Sequence, residues 1–191
     1  STSPFFAPSD SPLPEMVQQR IYEGFRRGLT IEALADRYRR SITTVRRIVN
    51  QRRAEEVCAM PLEYIDNPEF RDAAAEERIL TPPPAVERPR KARAPKDLPA
   101  YLASLYEVPL LTREQEFHLF RKLNYLKYRA SQLRDQLELD RPSSKLLDAI
   151  ERLYRQVVET KNQIVSANLR LVVSIVRKRI TPMQELFELI S

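Results

Sequence analysis

Between Ile164 and Val176 the chain carries Ile164, Val165, Leu169, Leu171, Val172, Val173, Ile175 and Val176, a set that covers most of a helix circumference rather than one stripe. A helix apolar on most sides must be enclosed by others, so this segment restricts the fold more than any other. Asn168 and Arg170 lie inside that wall and are expected to be buried organisers, because burial obliges both to find hydrogen-bond partners. The run should break at Pro182, with a new helix from Glu185 to Ile190. The apolar perimeter is expected to lack enclosing neighbours from this chain.

Upstream, Thr112 and Gln115 form a capping box at the start of a long helix. Leu119, Leu123, Leu126, Ala130, Leu133 and Leu137 then recur at alternating four and three. Asp140-Arg141-Pro142-Ser143-Ser144 interrupts the rhythm, and Leu146, Ile150, Leu153, Val157 and Ile164 resume it. These intervals predict two antiparallel helices whose apolar positions pack on each other.

A second helical region starts at Pro14. Val17, Ile21 and Phe25 share one face, and Gly28 ends that helix in a left-handed cap. Thr30 caps a helix with Ile31, Leu34, Ala35 and Tyr38 inward; Ser41 caps another with Val45, Ile48 and Val49 inward. Asn67-Pro68 marks a further helix start, with Phe70, Ala74 and Ile79 available for packing. The expected class is all-α: a small helix-turn-helix module, a Pro-rich basic linker, then a long antiparallel hairpin. The expected divisions are a tail over 1–13, the module with an acidic helix over 14–80, the linker over 81–96 and the hairpin region over 97–191. Proline placement sets the first and third, since four of the 15 prolines precede Glu15 and six fall from Pro82 to Pro99.

Charge is arranged in blocks. Residues 15–53 hold ten Arg against four acids, residues 54–80 two Arg against eight acids, and residues 81–96 five basic groups against one acid. The first block suggests a footprint on nucleic acid. Its expected edge is Ser41, Thr43, Thr44, Arg46 and Arg47, with Arg52 and Arg53 further along the same helix; hydroxyls and arginines can meet phosphates or base edges. The acidic stretch is expected to fold back on this arginine face or on the basic linker and compete with DNA. Internal pairing of the arginines and docking on protein are the alternatives.

The sequence ALADRYRRSITTVRRIV resembles the helix-turn-helix of resolvase, invertase and sigma-type DNA-binding domains, with Arg39 at a turn position where relatives favour Gly. A wider resemblance covers Asp97 to Ser191. IVSANLRLVVSI (Ile164 to Ile175) and FELIS (Phe187 to Ser191), preceded by Tyr101-Leu102 and VPLLTREQE (Val108 to Glu116), resemble vegetative-type bacterial RNA polymerase sigma factors of the sigma-70 family. Ser166, Val176, Arg179 and Ala103 depart from the usual residues. The resemblance implies the amino-terminal part of a longer sigma factor that directs polymerase to promoters, with RNA polymerase core and promoter DNA as partners. It places Leu102 near DNA, and Phe187, Glu188, Leu189 and Ile190 at the start of the polymerase-binding surface. Self-association through the apolar helix is a further possibility.

Catalysis is not indicated, for there is no nucleophile-and-base pairing, Gly-rich phosphate loop or paired-acid site. One cysteine, Cys58, and one histidine, His118, provide no metal-ligand cluster, and neither a cofactor nor a small-molecule substrate is expected. The absence of a signal peptide or long apolar span predicts a cytoplasmic chain without a membrane partner. A stand-alone helix-turn-helix regulator and a helical adaptor that binds no DNA are the alternative functions.

Overall fold

The computed structural model describes residues 13–82 and 110–190, with the side chains of 173, 174 and 176–190 excepted. The described residues are helical and contain no strand. The helices are α1 (Glu15–Arg26), α2 (Ile31–Tyr38), α3 (Ile42–Cys58), α4 (Ala75–Leu80), α5 (Arg113–Arg134) and α6 (Ser144–Ile190), with a 3-10 turn at Pro68–Arg71. Two compact units interleave along the chain: residues 13–62 with 130–152, and residues 63–82 with 110–129 and 153–190. Side chains of α3 are tied to residues about ninety positions downstream, which joins residues 130–152 to the first unit.

In the first unit, α1, α2 and α3 close on one core. Ile21, Tyr22, Leu34, Ala35, Val45, Ile48 and Val49 are buried, with Leu13, Val17, Phe25, Ile31 and Tyr38 packed around them. Local signals set the ends of these helices. Gly28 has φ 95°, a left-handed conformation that a Cβ would disfavour. Thr30 Oγ1 accepts from Ala33 N at 3.2 Å, and Ser41 Oγ accepts from Thr44 N at 3.1 Å. Between α2 and α3, Arg39 is left-handed at φ 50° and ψ 51°, and Arg40 N donates to Ala35 O at 3.0 Å. This is the helix-ending geometry that glycine normally occupies, so the chain accepts an unfavourable backbone to place an arginine there.

In the second unit Phe70, Ala75, Ile79 and Tyr125 are buried together, with Tyr64, Leu80 and Tyr128 against them. Phe70 meets Tyr125 edge-on at 5.5 Å between ring centroids, and Tyr64 meets Tyr128 likewise at 5.5 Å. Ala75, not the expected Ala74, faces inward: Asn67 caps only a 3-10 turn, and α4 starts afresh at Ala75.

Two expectations about the long helices need correction. Leu119, Leu126, Ala130, Ile150, Val157 and Ile164 are buried as expected, but Leu147 replaces Leu146 as the first buried position of α6. Pro182 does not end α6, which runs on to Ile190. Proline removes one backbone donor and crowds the carbonyl four residues earlier, but Met183 to Leu186 supply helix-favouring residues beyond it. The capping box at α5 is formed: Gln115 N donates to Thr112 Oγ1 at 3.2 Å, and Thr112 N donates to Gln115 Oε1 at 2.9 Å.

Candidate nucleic-acid interface

The expected edge of α3 divides into free and committed residues. Thr43, Arg46 and Arg47 are exposed. Ser41 and Thr44 are half-buried, and their hydroxyls bond each other at 2.8 Å while Ser41 caps the helix. Both hydroxyls are thereby engaged in starting α3.

Arg52 and Arg53 are not on an open edge, contrary to the expectation. Arg52 pairs with Glu15 and, at 3.0 Å, with Glu55. Arg53 is 7% exposed; its Nε and Nη2 donate to the two carboxylate oxygens of Glu151 at 2.8 and 2.9 Å, and Nη2 also reaches Asp148 at 2.5 Å. Its guanidinium also lies 5.9 Å from the Phe25 ring centroid. Burial alone would push Arg53 down, but the bonds to Glu151 and Asp148 outweigh it and hold the guanidinium above its ordinary value. One turn earlier, buried Asn50 donates to Pro142 O at 3.2 Å and to Ser144 Oγ at 2.8 Å.

These contacts cover a definite side of the helix. Asn50, Arg53, Ala54 and Val57 fall on one stripe at helical spacing, continuous with Thr43, Arg46 and Arg47 nearer the amino end. From Asn50 onward that stripe is buried, and before it the stripe is open. The usable surface of α3 is therefore its first two turns. Periodicity could not have exposed this, because the covering groups lie more than ninety residues away.

The acids of residues 66–76 have partners within their own unit. Glu69 pairs with Arg121 and with Arg78 at 3.0 Å, Glu76 approaches Arg129 at 3.8 Å, Asp66 pairs with Arg71 at 2.7 Å, and Asp72 pairs with Arg78 at 2.9 Å. The bond from Arg71 holds the Asp66 carboxyl below the usual carboxylate range. These acids pair with α5 and with their own segment; the basic linker, on which the acidic stretch was also expected to fold, lies outside the described residues.

Along α6, buried Ala167 and Arg170 share a side, whereas Asn168 is exposed and is not the buried organiser expected of it. It falls with Val165 and Val172 on the open face of the helix. Apart from Asn168 that face is apolar: Val165, Leu169 and Val172 are 44–54% exposed. Phe187, Glu188, Leu189 and Ile190 lie in the last turns of α6, and Leu102 lies outside the described residues. Among the described residues there is no metal-competent cluster of His, Cys, Asp or Glu, and no helix is long and apolar enough to cross a membrane. Comparisons with protein-family models, curated proteins and solved structures find no match for the chain.

Proposed function

We propose that this chain acts in transcription initiation as the amino-terminal part of a sigma-type factor, docking on RNA polymerase core through α6 and meeting DNA through the three-helix module. The observation that carries the reading is the open apolar face of α6, at the residues that resemble the sigma-70 signature. Val165, Leu169 and Val172 repeat at helical spacing and remain about half exposed, although a helix this apolar ordinarily lies inside a bundle. A protein partner would remove that surface from water. Phe187, Glu188, Leu189 and Ile190 would extend the docking surface, and Leu102 would lie near the DNA.

The test is capture of purified bacterial core polymerase by the full chain, compared with Leu169→Glu/Val172→Glu. Both positions are exposed, so circular dichroism should show unchanged helix content. Capture by the parent and its loss in the variant supports the reading; no capture by either, or equal capture by both, overturns it. The stand-alone DNA-binding alternative is favoured by one observation, the unpaired arginines around the α2–α3 turn, and predicts duplex binding without polymerase.

A further inference from the structure

The basic amino-terminal block does not carry its charge evenly. At its flanks, Arg26 is matched by Glu56 at 3.0 Å, Arg52 by Glu15 and Glu55, and Arg53 by Asp148 and Glu151. Between those flanks, residues 37–47 contain Arg37, Arg39, Arg40, Arg46 and Arg47 and no acid. Among the described residues, none of these five arginines forms a salt bridge. Four of them are exposed, while Arg40 is half-buried with one guanidinium nitrogen lacking a partner. The nearest acids in sequence are Asp36 and Glu32, on α2 itself.

We infer that the turn between α2 and α3 is a binding site for the phosphate backbone of duplex nucleic acid, one that grips without reading sequence; this rests on the DNA-binding arm of the proposed function. Three features point to phosphates instead of bases. First, Arg39 and Arg40 lie on the turn preceding α3, where a helix-turn-helix module faces backbone as well as groove. Second, the hydroxyls of Ser41 and Thr44 are occupied by each other and by the cap of α3. Third, the open stripe of α3 ends at Arg47, because Asn50 and Arg53 are covered by residues 142–151, and two of its three open side chains are arginines, which meet phosphates readily. What remains is a short cationic ridge, and a polyanion with regularly spaced charge is its complement.

The experiment measures fluorescence anisotropy of the full chain with three duplexes of unrelated sequence and with a single strand of equal length. The duplexes should bind with affinities within about 3-fold of one another, with a log–log salt slope of about −3.6 to −4.5 for four or five arginine–phosphate contacts. Arg46→Ala/Arg47→Ala should weaken all duplexes equally and reduce the slope by about 2, whereas Arg26→Ala, which removes an arginine already paired with Glu56, should leave the slope unchanged. Preference for one duplex by about 100-fold overturns sequence-independent gripping while leaving DNA binding intact. A flat salt response, tighter binding of the single strand, or an unaltered slope in the double variant also overturns it. Polymerase capture is read separately, so failure here leaves the docking of α6 to be judged by its own test.

Discussion

Replacing Arg53 with alanine separates a residue that holds the fold from one that holds a ligand. Its guanidinium makes three charged hydrogen bonds, at 2.8 and 2.9 Å to Glu151 and 2.5 Å to Asp148. Breaking an ion pair buried on both sides costs about 3–5 kcal/mol. Here the acid side chains retain 30% and 58% exposure for Glu151 and Asp148, so water re-solvates them when the arginine is lost. The lower end of the charged-bond range then applies, and with loss of the packed stem the expected destabilisation is about 2 kcal/mol. Arg53→Met keeps most of the stem and should cost about 1 kcal/mol. In urea unfolding followed by circular dichroism, the alanine variant should shift the midpoint by about 1 M for a slope near 2 kcal/mol/M. Duplex affinity of the folded variant should match the parent. A stability change under about 0.5 kcal/mol together with a clear loss of duplex binding would refute the structural role assigned to Arg53.

Asn50→Ala should destabilise the first unit by about 1–2 kcal/mol, since Pro142 O and Ser144 lose their shared donor; a melting temperature equal to the parent's would contradict the bonds described. Arg39→Gly should raise stability by about 0.5–1 kcal/mol, because glycine adopts the left-handed backbone without strain, while weakening duplex binding through the lost charge. Gains or losses in both readouts together would sink that split. Burial, reinforced by a hydrogen bond to Glu56, raises the Tyr22 phenol from 10.0 to about 12. The folded chain keeps this proton where the unfolded chain has released it, so its contribution to stability is complete below pH 10 and is lost as pH rises towards about 12. Tyr22→Phe should flatten stability over that window, and parallel pH profiles in parent and variant would count against it.

Much of the fold was legible because it is fixed by neighbours. Thr30, Ser41 and the Thr112–Gln115 box close orphaned helix ends within four residues, and the inward faces of α1, α2 and α3 follow from spacing alone. Fold class was therefore readable, as was the division of α3 into a core-facing and an outward side. The fate of the outward side was not. Whether Arg53 meets water, phosphate or a carboxylate depends on Asp148 and Glu151, separated from it by 95 and 98 residues, and no local period encodes that choice. The same limit explains Asn50 and the interleaving of the two units. Leu147 was missed for a smaller reason: two adjacent leucines satisfy the helical interval almost equally, and only packing selects between them.

The charge blocks acquire a different meaning once their partners are known. Had the acidic segment neutralised the basic one, both would amount to a long internal ion-pair ladder. Instead, among the described residues, only Glu55 and Glu56 of that segment reach basic-block arginines, Arg52 and Arg26; Glu69 and Glu76 face Arg121 and Arg129, and Glu15, Asp148 and Glu151 serve the other flanking contacts. Among the described residues neither set reaches residues 37–47, which hold five like charges within eleven residues. Such crowding disfavours the compact state, and a left-handed arginine at the turn adds backbone strain to it. Backbone bonds from Arg39 N to Asp36 O and from Arg40 N to Ala35 O close the turn, but among the described residues no carboxylate pairs with these arginines, so duplex binding as inferred above should raise the stability of the module.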